Sequence, residues 1–437
     1  MLSISQKMDP KVVDHILSYV MAYGDDQGEF VLSRSLSLAN TDDSSSTETV
    51  TTLHSTLLVC HSFHDPSLRA LYYDPSRSHA RIKFTNASHL LKTLQTKSTL
   101  ATLVTSLSHF DKCHEKLAGQ AQGELEKEAV ENWAVQMLLA CKQVERVTSF
   151  VEFNKSTSLA TSTISTLENL KYLTIRGPPE RRVQVLKVAQ AFITGLHLKQ
   201  GRLVSLRVTG FHHKSWFASD DIPIPEGGYS SLQVEKLEFD GNDHDVAWSP
   251  LFLPIDPSFL RTLSYESYME HKIEATALEE LAGKTEGSLE IFVFRGQSME
   301  PGAIIGSLYN YEEIWEIGTV FFPAEIFKHN FVHLTQLILE GIHFLQLALL
   351  QSISNYPHLA TISFYNSIWY PHEWKEVKNT CDSVIEILQT FQSLRTLHLG
   401  HLPLLSSEQA MASVLESCEG LEIKFDWQPC LEGRSAW

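Results

Sequence analysis

The chain has 437 residues, of which 43% are hydrophobic and 20% charged, a composition typical of a globular protein with two or three structural units. Its formal net charge of −17 argues against a nucleic-acid partner and favours a basic protein surface, because like charges repel. The sequence shows no basic amino-terminal segment followed by an apolar run and no stretch of about eighteen apolar residues, so it predicts neither secretion nor a membrane span.

The first predicted element is a helix that begins at Pro10. The carboxylate of Asp9 can accept hydrogen bonds from the free amides of the first turn, and the fixed φ of proline suits the first helical position. Apolar residues then recur up to Met21 in a stripe too wide for so short a helix to bury against its own neighbours. A second apolar helix is predicted from Leu53 to Phe63, and Asp65-Pro66 repeats the starting signal for a third. Three short helices with excess apolar surface indicate a docking module.

Two motifs in these helices resemble the F-box family. The first helix ends in Ile16-Leu17-Ser18-Tyr19-Val20, similar to the family's Ile-Leu-Ser-Tyr-Leu, and Leu58-Val59-Cys60-His61-Ser62-Phe63 matches its Leu-Val-Cys-x-x-Phe phrase. The chain departs from the family in its opening Met8-Asp9-Pro10 and in the lack of a tryptophan near the third helix. A polar insert, residues 24–52, separates the motifs and is predicted to be a disordered loop, because its composition cannot bury enough surface to order itself.

The resemblance implies that residues 1–80 form an F-box-like helical module. Such a module holds a Skp-type adaptor and, through it, a cullin-RING ubiquitin ligase. The apolar residues that would contact the adaptor are Met8, Pro10, Val13, Ile16, Leu17, Leu58, Val59, Phe63 and Leu68. An alternative interpretation is that these helices only cap the first repeat of a solenoid.

Residues 81–437 carry a recurring Leu-x-x-Leu-x-Leu-x-Gly phrase at irregular intervals. Each copy alternates apolar and polar residues, which is typical of a strand with one buried face, and most intervals contain a helical segment. The copies begin at Leu170, Leu203, Val234, Leu260, Leu289, Leu334, Leu359 and Leu394. This pattern resembles the leucine-rich-repeat solenoid, which implies an α/β fold with parallel strands on a concave face and helices outside. Weaker copies are predicted at 100–107, 144–153, 314–322 and 421–425.

The alternation predicts which polar side chains face the concave groove and bind a substrate protein. The candidates are Arg176, Arg207, Glu238, Asp240, Glu266, Arg295, Glu340, Tyr365 and His398. Between Asp220 and Glu290 there are 16 Asp and Glu against 4 Lys and Arg, a balance of −12. This region is interpreted as a patch that attracts a basic substrate, or alternatively as a solvated face of loops.

Signals for catalysis or cofactor binding are absent from the sequence. Ala282-Gly283-Lys284-Thr285 resembles the end of a phosphate-binding loop, but Leu278 stands where the motif needs its first glycine. The histidines lack the spacing of metal ligands, and there is no G-x-S-x-G elbow. The six cysteines are scattered without C-x-x-C spacing, which is typical of reduced thiols in the cytoplasm or nucleus. We therefore expect no enzyme, no metal and no cofactor.

Together, the two resemblances imply a substrate-recognition subunit of an SCF-type cullin ubiquitin ligase. In this hypothesis the F-box docks the adaptor and the repeats bind the substrate. The main alternative is a leucine-rich-repeat scaffold or binding protein with no link to ubiquitin. A third alternative is an enzyme whose site lies unrecognised on the concave face.

Overall fold

The computed structural model describes residues 68–77, 82–150, 162–176, 193–196, 201–209, 232–241, 255–268, 283–297, 327, 331–341, 343–365, 367–369, 377–402 and 408–429. The chain forms two compact units. Unit 1 holds Met1–Thr174 with Gly195–Gln200, and unit 2 holds Ile175–Thr194 with Gly201–Trp437. Of the predicted F-box helices only the third reaches the described residues, where 68–73 are helical.

The described part of unit 1 is mainly helical. Besides the helical residues 68–73, it contains α1 (Phe84–Thr96), α2 (Ser98–Ala101), α3 (Phe110–Gln120) and α4 (Glu124–Ala140). Helix α4 buries Val130, Trp133, Ala134, Met137 and Leu138, the spacing of one helical face. The indole Nε1 of Trp133 donates to the carbonyl oxygen of Ala87 at 3.0 Å, which ties α4 to α1.

Unit 1 also contains β1 (Ser106–Leu107), which lies between α2 and α3, and β2 (Arg146–Phe150) and β3 (Tyr172–Arg176), which follow α4; the last two residues of β3 belong to unit 2. Strands β1 and β2 pair in parallel, with Leu107 opposite Val147. The amides of Lys171 and Tyr172 both donate to the carbonyl oxygen of Glu145, so β3 enters beside β2. Strand β2 lies within the weak copy predicted at 144–153, whereas only the last two residues of the copy predicted at 100–107 form a strand, β1, and its first two residues belong to α2.

A buried carboxylate joins the end of the third predicted F-box helix to β1. Asp74 accepts hydrogen bonds from the Ser106 hydroxyl at 2.8 Å, from the Ser108 amide at 3.1 Å and from the Ser76 amide at 3.1 Å. The hydroxyls of Ser76 and Ser108 also donate to it. Burial by itself would raise the pKa of Asp74, but these serines and the charge of Arg77 outweigh burial and hold that pKa below its ordinary value.

Unit 2 is built on parallel strands. They are β4 (Arg202–Thr209), β5 (Gln233–Gly241), β6 (Thr262–Tyr268), β7 (Ile291–Gln297), β8 (Gln336–Glu340), β9 (His343–Leu345), β10 (Thr361–Ser363), β11 (Ile368–Trp369), β12 (Thr396–Leu402) and β13 (Lys424–Pro429). The order is β4-β5-β6-β7-β8-β10-β12; β13 pairs with β12, and β11 pairs with β12 and β9. The strong copies predicted from Leu203 onward therefore form neighbouring parallel strands, in agreement with an α/β fold.

The apolar positions of the repeat meet in register across unit 2. One ladder consists of Leu206, Leu237, Leu263, Phe292, Leu337, Ile362, Leu397 and Phe425. A second ladder consists of Val208, Phe239, Tyr265, Phe294 and Leu339. Tyr265 lies between Phe239, on which it stacks at a ring-centroid distance of 5.7 Å, and Phe294, whose ring is tilted by 45° at 5.5 Å. All of these side chains are buried except Phe425, which is half-buried, so the ladders form the core of this unit.

Unit 2 also contains the helices α5 (Leu347–Ile353), α6 (Val377–Leu388) and α7 (Glu408–Gly420). Helix α7 buries Met411, Val414 and Cys418, as the helical spacing of this segment predicts. Leu415 is 44% exposed, because it lies about a quarter-turn from Val414. The weak copy predicted at 314–322 lies outside the described residues. Within the described residues, no helix is both long enough and apolar enough to span a bilayer.

Candidate protein-interaction face

The polar positions of the repeat form rows on the side of the unit 2 sheet opposite the buried ladders. The first row is Ser205, Lys236, Thr262, Ile291, Gln336, Thr361, Thr396 and Lys424; the second row is Arg207, Glu238, Ser264, Val293, Ile338, Ser363, His398 and Asp426. The third row is Asp240, Glu266, Arg295 and Glu340. We call these three rows the polar face.

Charges on strands β4 and β5 of the polar face pair with one another. Glu238 lies between two cations: its Oε2 is 3.5 Å from Nε of Arg207, and its Oε1 is 2.5 Å from Nζ of Lys236. Because these groups are partly exposed, each pair contributes little stability. These three side chains together carry one net positive charge.

Arg295 connects two rows of the polar face. Its Nε lies 3.3 Å from Oε2 of Glu340, its neighbour in the third row. Its Nη1 donates to the Ser264 hydroxyl of the second row at 3.4 Å. Since a guanidinium has several donors in a fixed plane, one arginine can hold a carboxylate and a hydroxyl at the same time.

Between the charged strands lies a region without formal charge, which we call the neutral strip. It consists of the first-row and second-row residues of β6, β7, β8 and β10: Thr262, Ser264, Ile291, Val293, Gln336, Ile338, Thr361 and Ser363. Three of these residues are aliphatic and adjacent by register. Val293 is 7% exposed, and Ile291 and Ile338 are half-buried.

At the other side of the neutral strip, Tyr365 stacks on His398. The two ring centroids are 4.2 Å apart and the ring planes differ by 4°. The amide of Gly400 donates to Nδ1 of His398 at 3.2 Å, so Nδ1 is the unprotonated nitrogen in this arrangement. Nε2 of His398 lies 3.6 Å from Oδ2 of Asp426 in the neighbouring strand. The imidazole is therefore held on one ring face by Tyr365 and at Nδ1 by Gly400.

Most of the sequence-predicted groove residues occupy the polar face. Arg207, Glu238, Arg295 and Glu340 lie there and pair as described above. Asp240 and Glu266 occupy third-row positions of the backbone. Arg176 ends β3 and is half-buried.

His398 differs from the sequence-based expectation. Alternation predicts an exposed side chain, but His398 is only 5% exposed, because the ring of Tyr365 covers one of its faces. Tyr365 itself is half-buried. Of this pair, the tyrosine is therefore the more accessible to a partner.

The sequence-predicted adaptor contacts fall almost entirely outside the described residues. This holds for Met8, Pro10, Val13, Ile16, Leu17, Leu58, Val59 and Phe63. Leu68 is described; it is half-buried at the start of the helical residues 68–73.

Sequence reasoning missed the aliphatic residues of the neutral strip, because it selected only polar residues between the buried ones. A signal was present: Ile291-Phe292-Val293-Phe294 and Leu337-Ile338-Leu339 are runs in which apolar residues fill the positions that are polar in other copies. A break of this kind in an otherwise alternating strand predicts an apolar patch on the solvent side of the sheet.

The described cysteines lack the features of nucleophiles. Burial raises the pKa of Cys141 to about 12. Burial, with the nearby charge of Asp382, raises the pKa of Cys381 to about 11. A reactive cysteine needs a lowered pKa, so these thiols have a packing role. Across the described ranges, His, Cys, Asp and Glu residues form no group with the geometry of a metal site.

No protein-family model matches the chain, and no curated protein matches it significantly.

Proposed function

We propose that the chain is the substrate-recognition subunit of an SCF-type cullin ubiquitin ligase. In this role the F-box-like module of residues 1–80 binds a Skp-type adaptor and the polar face of unit 2 binds a substrate protein. The observation that carries the proposal is the combination of two features in one chain: the F-box-like motifs Ile16–Val20 and Leu58–Phe63, and the parallel repeat strands β4–β13 that follow them. The first feature is a docking motif and the second provides a broad polar surface.

The buried Asp74 anchors the last of the predicted adaptor contacts within unit 1. Leu68 is this contact, and the Asp74 hydrogen bonds join the segment 68–77 that it begins to strand β1.

The mechanism requires no chemistry from this chain. The conjugating enzyme carries ubiquitin as a thioester, and the receptor accelerates transfer by keeping substrate lysines close to it. The proposal therefore includes neither cofactor nor metal. The described cysteines are free and buried, which fits a reducing compartment and supports a cytoplasmic or nuclear location.

The test is co-expression of the full chain with a Skp-type adaptor, followed by affinity purification and size-exclusion chromatography. We expect a stable one-to-one complex that Leu17→Asp and Leu58→Asp each abolish. Leu125→Asp is the matched control, because Leu125 is 83% exposed on α4 and lies outside the module. If a folded full chain forms no complex, or if both module variants still bind, the ligase proposal is wrong and the ubiquitin-independent scaffold takes its place.

A further inference from the structure

Strand β13 forms an edge of the unit 2 sheet. Among the described strands it pairs only with β12, so its other side carries no neighbouring strand. The amide of Lys424 donates to the carbonyl oxygen of Arg395 at 2.8 Å, which directs the backbone polar groups of Lys424 towards the sheet. Because successive residues of a strand direct these groups to opposite sides, Phe425 and Trp427 direct theirs to the open side. The open side is therefore a template for a further strand.

The edge strand of unit 1, β1, is covered by residues of its own chain. The amide of Thr105, just before β1, donates to the carbonyl oxygen of Tyr73 at 3.2 Å. The amide of Ser108, just after β1, donates to the carboxylate of Asp74 at 3.1 Å. Natural proteins commonly cover their sheet edges in this way. Within the described part of unit 2, no segment provides the same cover for β13.

Two exposed charges of opposite sign flank Phe425 in β13. Lys424 belongs to the first row of the polar face and Asp426 to the second row, and both side chains are exposed, that of Asp426 to 65%. A lysine on an edge strand commonly prevents pairing, because it would lie against another strand without a partner. Here an anion follows two residues later on the same face, so β13 carries both halves of an ion pair.

This charge pattern complements itself in one register. If β13 pairs antiparallel with β13 of a second copy and Phe425 lies opposite its own counterpart, Lys424 of each copy lies opposite Asp426 of the other. Phe425 then forms a hydrogen-bonded pair, as the direction of its backbone groups requires. The two Lys–Asp pairs are of the non-hydrogen-bonded kind, whose Cα atoms lie about 4.5 Å apart and whose side chains approach most closely. A register centred on Trp427 would pair neither charge.

The same register covers apolar surface at this end of unit 2. Phe425 is half-buried, whereas the other members of its ladder are buried, because no further repeat follows it in the ladder. Trp427 is also half-buried, and Leu421, which follows α7, is 37% exposed. In the dimeric register Phe425 meets its counterpart, and Trp427 meets Ile423 of the second copy on the same side of the sheet. The apolar ladder would therefore continue from one copy into the other.

We infer that β13 is a self-association surface, through which two copies of the chain form a symmetric dimer with one continuous unit 2 sheet. A second copy is the partner that this edge fits, because the charges on β13 are complementary to themselves. Antiparallel pairing keeps the same sides of the two sheets together, so the two polar faces join into one surface. The inference goes beyond the proposed function and does not depend on it, since the adaptor contacts of that proposal lie in residues 1–80.

The test begins with sedimentation equilibrium of the full chain. At concentrations from about 1 to about 100 μM we expect a reversible equilibrium between monomer and dimer, because a single strand pairing forms a small interface. Lys424→Asp and Asp426→Lys are each expected to raise the dimer dissociation constant about tenfold or more, since each variant turns two attractive cross-strand pairs into two repulsive ones. Lys378→Asp is the matched control and should leave this constant unchanged, because it makes the same change of charge at an exposed position on α6.

A mixture of the two edge variants separates a lost contact from a lost fold. When a chain with Lys424→Asp pairs with a chain with Asp426→Lys, every cross-strand charge pair again joins an aspartate to a lysine. One variant carries a fluorescent label, and sedimentation velocity follows the labelled chain. We expect the labelled variant to be monomeric alone and to form a dimer when the other variant is added. A variant that had merely failed to fold would not be rescued in this way.

A wild-type chain that stays monomeric would overturn the inference and leave the edge to residues 430–437 or to a strand of another protein. Equal dimerisation of the wild type and both edge variants would also overturn it, because the dimer contact would then lie away from β13. So would variants that lose the dimer both alone and in the mixture. The adaptor experiment is independent of these outcomes, because a dimer with one adaptor on each chain keeps the one-to-one ratio.

Discussion

The ring of Tyr365 lies parallel to the imidazole of His398, with the ring centroids 4.2 Å apart. The two residues come from different repeats: Tyr365 follows β10, and His398 belongs to β12. Gly400 donates to Nδ1 of His398 from the same strand, so the stack and the hydrogen bond fix the imidazole together. This arrangement turns a polar position of the repeat into a buried contact beside the neutral strip.

A double-mutant cycle measures the energy of this stack. Tyr365→Leu and His398→Leu are each expected to lower the free energy of unfolding, and the double variant to lose about 0.5–1.5 kcal/mol less than the sum of the two. Unfolding in urea provides the measurement. Tyr365→Phe is the control and should change stability by less than about 0.5 kcal/mol, since it keeps the ring. Additive losses in the cycle would show that the rings do not interact energetically.

Gly400 is required by both its backbone conformation and its surroundings. Its φ is +73°, and a Cβ at this position would stand 2.2 Å from the carbonyl oxygen of Phe364 and 2.7 Å from that of Ser367. Gly400→Ala is therefore expected to lower the free energy of unfolding by about 3–5 kcal/mol, from left-handed strain and collision together.

A comparison with Gly201 distinguishes the effect of left-handed backbone strain from the effect of a steric collision. Its φ is +59°, but a Cβ there would have no neighbour within 4 Å. Gly201→Ala should therefore lower the free energy of unfolding by about 1–2 kcal/mol, which is the contribution of backbone strain alone. Thermal and urea unfolding of both variants provide the comparison, and equal losses would rule out a collision at Gly400.

The repeat strands were predictable from the sequence, because their signal is local. Alternation of buried and polar residues within five or six positions identifies a strand without knowledge of its neighbours, and the copies from Leu203 to Leu394 all coincide with strands. Strands β9 and β11 were not predicted. They are too short to show an alternating pattern, and contacts with other repeats hold them in place. Trp369, in β11, lies edge-on to Phe364 with the ring centroids 5.6 Å apart, and its indole donates to the carbonyl oxygen of Leu399.

The candidate site was only partly predictable. Alternation places Arg207 and Glu238 on the polar face, but it says nothing about partners on other strands. The burial of His398 by Tyr365 and the adjacency of Ile291, Val293 and Ile338 depend on the register between repeats separated by irregular intervals. Register is a property of the assembled sheet, so a single repeat cannot reveal it.

The described cysteines should resist alkylation in the native chain. With pKa values of about 12 for Cys141 and about 11 for Cys381 and Cys418, all raised by burial, at most about one thiol in a thousand is a thiolate at pH 8. Treatment with iodoacetamide, followed by peptide mass spectrometry, should show labelling of these residues only after unfolding in urea. Labelling of Cys141 in the native chain as fast as a free thiol would contradict this burial.

Asp74 gives unit 1 a pH-dependent contribution to stability. Its folded-state pKa lies below its ordinary value of 3.8, because the hydrogen bonds of Ser108, Ser76 and Ser106 and the charge of Arg77 outweigh the effect of burial. For a lowered carboxyl pKa, the folded state binds its proton less readily than the unfolded state does. The contribution is therefore fully present above about pH 4 and is lost as the pH falls through the folded-state pKa.

Asp74→Asn tests this contribution. At pH 7 the variant is expected to lower the free energy of unfolding by about 1.5–3 kcal/mol, because hydrogen bonds to a buried anion are replaced by weaker or mismatched ones. The difference from wild type should shrink below about pH 4, because the unfolded-state carboxylate of Asp74 takes up a proton at a higher pH than the folded-state carboxylate does. Urea unfolding at a series of pH values measures both effects.

Asp256→Asn is the matched control for Asp74→Asn. Asp256 also accepts hydrogen bonds from the amide and hydroxyl of a serine two residues on, Ser258, at 3.1 and 2.6 Å, but it is half-buried and lies in unit 2. Because water can replace these hydrogen bonds, Asp256→Asn should lower the free energy of unfolding by less than about 1 kcal/mol. If both variants lose the same stability, or if the Asp74→Asn loss stays constant down to pH 2, the serine cluster does not hold a stabilising carboxylate.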